Sequence, residues 1–292
     1  MREAFATKPW LKYVLIAVIA LGLVAAGIGV GRLTTPAPTP SAPTPAPTPT
    51  ATPTGPNVPV YSTVMTEVAG APGLWWGTAT VTSGYTDTIL GVPIGWKHTV
   101  DGAIGAGVSS FVSLTSLNNA KLDTSRQLDD RLLTANARQA HRTTQEYWDI
   151  TKAWYHLNNE GQPLDGAGDI STSRKLYWQG YPRYAAYKVT ELHSTGTDLD
   201  TVHVSVWMPT VDGVTESDDL SPLRLQWGQM NLVMKWEDGD WRTDSFEPAQ
   251  APQGSERRAN LPWATVASLL GPGWSIPADA TDKPYAGVVL AR

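Results

Sequence analysis

The chain has 292 residues, 41% of them hydrophobic and 17% charged, enough for one ordinary domain with appendages and a sizeable buried core. It contains no cysteine, which excludes disulfides, thiol nucleophiles and cysteine-ligated zinc. Its net charge of −5 provides no general attraction to nucleic acid.

The first predicted element is an apolar helix. Tyr13 to Gly31 runs for 19 residues without a charge, and a helix of that length spans about 28 Å, close to the hydrocarbon thickness of a bilayer. Arg2, Lys8 and Lys12 precede it, and only Arg32 follows closely. That asymmetry predicts a cytoplasmic tail over residues 1–12, a transmembrane helix over 13–31 and the rest of the chain outside. Trp10 and Tyr13 fall where interfacial aromatics sit, with Lys8, Lys12 and Arg32 at the flanks. The other reading is a cleaved signal peptide, but its apolar region would normally run only about 7–15 residues.

Residues 32–59 form a spacer, with ten Pro and eight Thr between 34 and 59. Proline fixes φ and removes backbone donors, so this tract is expected as extended polyproline II, up to about 80 Å long. No charged residue flanks its PxxP repeats, which favours a passive tether over a docking peptide. From residue 33 onward the chain carries 18 basic and 26 acidic residues. Such a surface disfavours anionic lipid and anionic wall polymers.

Residues 60–292 are predicted as a single extracellular domain. "GLWWGTATV" and "DTILGVPIGW" read as short extended pieces between glycine and proline breaks. Trp75 and Trp76 would then point to opposite faces. Val100, Ile104, Gly107, Val108, Phe111 and Thr115 mark one face of a helix. Thr99 is its expected N-cap, and Asp101 suits the positive end of the dipole. Gly102, Ala103, Gly105, Ala106 and Gly107 make its first turns thin. Each interior glycine costs about 1 kcal/mol against alanine, so that helix is expected to lie very close to a neighbour. His98 sits just before the cap with no acid or nucleophile at a catalytic spacing, and a structural role is expected for it.

Two further helices are predicted over 123–133 and 136–158, the second with a stripe of Ala137, Ala140, Thr144, Tyr147, Trp148, Thr151, Trp154 and Tyr155. Arg126, Arg131, Arg138, Arg142 and Lys152 read as a solvated face, because acidic residues are interleaved. His141 and His156 are fifteen residues apart, which is not a metal-ligand spacing. "DGAGD" at 165–169 lacks the spaced carboxylates of a calcium loop and reads as a plain turn.

Strands follow. Residues 183–194 are strand-like, and 201–208 alternate, with Val202, Val204, Val206 and Met208 on one face and His203, Ser205 and Trp207 on the other. Asp238-Gly239 marks a two-residue hairpin inside "LVMKWEDGDWR". That register sets Trp236 opposite Trp241, which is favourable, and Glu237 opposite Asp240, which is not. A short helix over 261–270 and an irregular tail close the chain. No P-loop, dinucleotide fingerprint, HExxH, GxSxG or SxxK occurs. Neither a catalytic set nor a cofactor or metal is expected.

The stretch "GWKHTVDGAIGAGVSSF", followed by helices and by long strands ending in "LVMKWEDGDWR", resembles a family of single-pass membrane proteins from actinobacterial mobile elements. In that family an aromatic-x-His-Thr-x-x-Gly-Ala stretch opens the first helix, and a Trp-x-x-Gly-Asp-Trp-Arg hairpin tip lies near the end of the sheet. Trp96, His98, Thr99, Gly102 and Ala103 fit the first pattern; Trp236, Gly239, Asp240, Trp241 and Arg242 fit the second. The order is also similar to TcpC-type conjugation proteins and to bitopic scaffold subunits of type IV secretion. The resemblance implies an α+β fold with helices on a curved antiparallel sheet, cone-shaped and nuclear-transport-factor-like, with its core over about 92–247. It implies a non-catalytic scaffold that contacts itself and other membrane subunits outside the bilayer. The alternatives are a cell-wall-binding or receptor ectodomain, and an isomerase-type enzyme, which would need an Asp and a Tyr pointing into the cone.

Overall fold

In the computed structural model the described residues are 66–140, 144–195, 198–216, 221–253 and 261–281, all within the unit Thr52–Arg292. The tail, the apolar segment and the spacer expected over 1–59 lie outside them, as do Lys8, Trp10, Lys12, Tyr13 and Arg32. The fold is α+β, with helices on a curved, open and mostly antiparallel sheet.

Among the described residues four short strands come first: β1 (Thr66–Glu67), β2 (Leu74–Trp76), β3 (Asp87–Ile89) and β4 (Val92–Ile94). Helix α1 (Val100–Leu114) follows, then a 3-10 turn (Leu117–Ala120), α2 (Leu122–Leu132), α3 (Ala135–Ala140) and α4 (Thr144–Tyr155). The long strands are β5 (Leu176–Gly180), β6 (Ala186–Thr195), β7 (Asp198–Val214), β8 (Arg224–Glu237) and β9 (Asp240–Ala249), and the last elements are α5 (Trp263–Leu270) and β10 (Trp274–Ile276). Among the described residues β3 and β4 pair with each other, and the other eight strands form one sheet in the order β1-β2-β10-β6-β7-β8-β9, with β5 pairing β7 beyond the end of β6.

Helix 136–158 of the sequence reading departs from expectation at its end. It stops at Tyr155, and His156 takes a positive φ of 52°, which turns the chain into the loop. The tail read as irregular contributes β10, which runs parallel to β2 and antiparallel to β6. The sheet therefore extends on both sides of the 92–247 core.

Each face of the sheet carries an apolar cluster. Val202, Val204, Val206 and Met208 of β7 point to one face, as their alternation predicts, and meet Ile104, Val108 and Phe111 of α1. On the other face Trp207 stacks on Trp227 with ring centroids 3.9 Å apart, among Ala186, Val266, Trp274 and Ile276. Among the described residues, Val100–Ala120 is a helical stretch long and apolar enough to cross a bilayer, but it is largely buried against this sheet.

The glycines of α1 set how close it lies. A Cβ at Gly107 would stand 2.9 Å from Val204 Cγ1, and one at Gly105 would stand 2.3 Å from the Trp96 ring. Gly105→Ala gains about 1 kcal/mol of helix propensity but forces Trp96, buried in the core, out of place. A net destabilisation of about 1–2 kcal/mol is expected from that overpacking. In thermal unfolding Gly105→Ala lowers the Tm, whereas Gly166→Ala, whose Cβ meets nothing within 4 Å, leaves it unchanged.

Candidate functional site

The two motifs lie far apart in sequence and meet at the N-terminal end of α1. Thr99 is extended, and its Oγ1 accepts a hydrogen bond from the Gly102 N–H at 3.1 Å, capping the helix as expected. The Lys97 carbonyl accepts from the Thr99 N–H at 2.8 Å and from the Trp241 indole N–H at 2.9 Å. A Cβ on Gly102 would come within 1.9 Å of that carbonyl oxygen, so the motif has glycine where the chain doubles back. Ala103, next to it, is fully buried in the core.

The hairpin tip supplies the other half. Asp238 and Gly239 have φ of 53° and 76°, the positive values that a tight two-residue turn requires. Trp236 and Trp241 pair across it edge-to-face, with centroids 5.5 Å apart. His98 stacks flat on Trp236 at 4.1 Å with an interplanar angle of 10°, meets Trp241 edge-on at 5.6 Å, and donates from Nε2 to the Leu199 carbonyl. Its contacts are therefore rings and a backbone oxygen.

The paired acids Glu237 and Asp240 each have donors of their own. Asp240 is 2% exposed. Its carboxylate accepts from the backbone N–H groups of Gly95 (2.8 Å), Trp96 (3.1 Å) and Trp241 (2.9 Å), and it pairs with Arg131 at 3.3 Å. Glu237 accepts from the Ala135 N–H at 3.1 Å, and Arg242 bridges to Asp238 at 3.1 Å. Arg131, expected on a solvated face, keeps about a third of its side chain exposed (34%) but reaches from α2 to a buried acid. Asp240 is a structural acid of this clasp, with donors from the chain on several sides.

A second buried acid lies elsewhere on the sheet. Asp212 on β7 accepts from the Tyr155 hydroxyl at 2.9 Å, from Arg224 at 3.1 Å and from Gln226 at 2.8 Å. Burial, reinforced by the Asp212 charge, pushes the Tyr155 hydroxyl well above the usual tyrosine range. An Asp–Tyr pair is thus present, with Arg224 and Gln226 also donating to the carboxylate. In the 165–169 turn, Asp165 accepts from the Ala167 and Asp169 N–H groups, which holds its carboxyl below the usual range. That is turn geometry, as expected.

A third cluster escaped the sequence reading. Glu191, His193 and His203 share the uncovered part of the outer face, with their ligating atoms all within 4.8 Å of one another. The Glu-x-His spacing was visible, but placing it beside His203 requires the β6–β7 register. No family model, curated protein or solved structure matches the chain.

Two expectations follow from the buried acids. Asp240→Ala leaves three N–H groups and Arg131 without their acceptor, at a cost of about 3 kcal/mol. Asp240→Asn keeps an acceptor and costs less, and His98→Ala costs about 1 kcal/mol; chemical denaturation gives this order. Tyr155→Phe is expected to cost about 1–2 kcal/mol at pH 7. Because the folded pKa is the higher one, the stability Tyr155 contributes is complete below the ordinary tyrosine value of about 10 and declines above it. The gap between wild type and Tyr155→Phe should stay constant from pH 6 to 9 and shrink at higher pH.

Proposed function

We propose that this chain is a non-catalytic scaffold subunit, anchored in a cell membrane by residues 13–31 with its N-terminus cytoplasmic. Its outer domain acts through protein–protein contacts, with itself and with other membrane subunits of a conjugative transfer or secretion machine. The observation that carries the reading is the clasp: Asp240 and the Trp241 indole of the hairpin motif bond the backbone of the helix-opening stretch at Gly95, Trp96 and Lys97, while Thr99 caps its own helix, all of them structural uses. The machine itself is inferred from the resemblance of those two motifs. A helix laid on a curved antiparallel sheet supports the cone-shaped, nuclear-transport-factor-like form of that reading.

One observation favours the second reading, a wall-binding or receptor ectodomain. Trp76 is exposed and meets Trp263 edge-on at 6.4 Å, beside Arg183 at an open groove, and exposed rings can stack on sugars. Of the other described tryptophans, Trp96, Trp148, Trp207, Trp227, Trp241 and Trp274 are buried, so core packing accounts for much of the tryptophan content.

A membrane anchor confines copies to two dimensions, where weak contacts gain from high effective concentration. Full-length protein in membranes is therefore expected to cross-link into oligomers. Deleting half of the 32–59 spacer should disturb a transfer assay without lowering the Tm of the domain. Monomeric full-length protein together with normal transfer by the short-spacer form would overturn the scaffold reading. Retention on cell-wall polymer that Trp76→Ala abolishes would favour the second reading instead.

A further inference from the structure

The outer face of the sheet is covered by α5 and by Leu261 just before it over one part only. Beyond that cover, β6 and β7 present three side chains whose placement depends on a bulge. Tyr187 and Val189 of β6 point into the core, and strict alternation would carry residues 191 and 193 inward as well. The register shifts between Val189 and Glu191: Val189 pairs with Val204, but Glu191 pairs with His203 and Leu192 with Val202. Two residues, Thr190 and Glu191, thus stand against one, as in a β-bulge. Leu192 takes the inward position and packs against the core. Glu191 and His193 turn outward onto the face that carries His203.

We propose that Glu191, His193 and His203 form a binding site for one divalent transition-metal ion of the zinc class. The carboxylate bridges the two imidazoles, with Oε1 2.9 Å from His193 Nε2 and Oε2 3.3 Å from His203 Nδ1. The rings are 5.4 Å apart, tilted by 56°. Ligands at about 2.0–2.1 Å from a tetrahedral ion stand roughly 3.3 Å from one another. Both carboxylate–imidazole distances are already near that value. No two of the ligating atoms are more than 4.8 Å apart, and the set closes by rotation of Glu191 and His193, both about half exposed, onto the less exposed His203.

Chemistry selects the ion. Two neutral imidazoles and one carboxylate suit Zn2+, Ni2+ or Cu2+, whereas Mg2+ and Ca2+ take oxygen ligands. The Glu191–histidine contacts that metal binding replaces are exposed and contribute little. Three protein ligands leave the fourth position of a tetrahedral ion facing solvent, for water or for a donor from another molecule.

The test is equilibrium dialysis of the full, untagged chain against Zn2+ alone, repeated with Mg2+. One Zn2+ per chain is expected, with no Mg2+ at the same concentration. His193→Ala and His203→Ala should each weaken binding at least tenfold, with a smaller loss in Glu191→Gln. Because all three side chains reach solvent, the metal-free variants should keep the wild-type Tm. Co2+ in place of Zn2+ should give the visible absorption of a four-coordinate ion, lost in His203→Ala. The proposal is overturned if wild type binds Zn2+ more weakly than about 100 μM. It is equally overturned if both histidine variants keep wild-type affinity, which would place the ion at His98, His141 or His156.

Discussion

A carboxylate withdrawn from water must be met by donors or the fold does not hold. At Asp240 those donors come from three separate segments: the backbone at Gly95 and Trp96, the guanidinium of Arg131 on α2, and the strand's own Trp241 N–H. One side chain thus fixes where the hairpin tip stands against the start of α1 and against the second helix. The rings of Trp236, Trp241 and His98 fill the space beside it. Once the start of α1 is fixed, its glycines let the helix settle onto Val204 and Met234.

Asp212 plays the matching part elsewhere. It holds Tyr155 at the end of α4 against β7, much as Asp240 holds Arg131 of α2 against β9. Two buried acids on different strands therefore fasten two helices to one sheet. Each satisfied acid admits few alternative arrangements, because displacing a donor would leave buried charge uncompensated. Thr134 adds a further tie, donating its N–H to the Thr243 carbonyl and its hydroxyl to Asp244. The bridge beside it, Leu133 to Thr243, covers part of the outermost strand β9, an edge that would otherwise invite pairing with other chains.

What was legible in the sequence was local. The Thr99 cap, the thinness of α1, the alternation of β7 and the Asp238-Gly239 turn each follow from short-range rules, and the structure has them all. Trp236 opposite Trp241 follows from the turn alone. What could not be read depends on contacts distant in the chain. Nothing near Asp240 in sequence shows that it meets Gly95 and Trp96, or that Arg131 reaches it from α2. Spacing could not place Tyr155 on Asp212, since a loop and two strands intervene. The trio of Glu191, His193 and His203 was hidden by a bulge: a single inserted residue reverses which side chains face out, and no pattern in the strand announces it.

The strand order carries a consequence for synthesis. β10 lies between β2 and β6, so β1 and β2 reach the sheet only through the last strand. At roughly 5–20 residues per second, the chain from β2 to β10, about 200 residues, takes some 10–40 s to emerge. Throughout that interval β2 has only the two-residue β1 as a partner strand, while β6 to β9 can already pair by successive antiparallel hairpins. The early strands are thus the last to join, and they wait for a strand made about 200 residues after them.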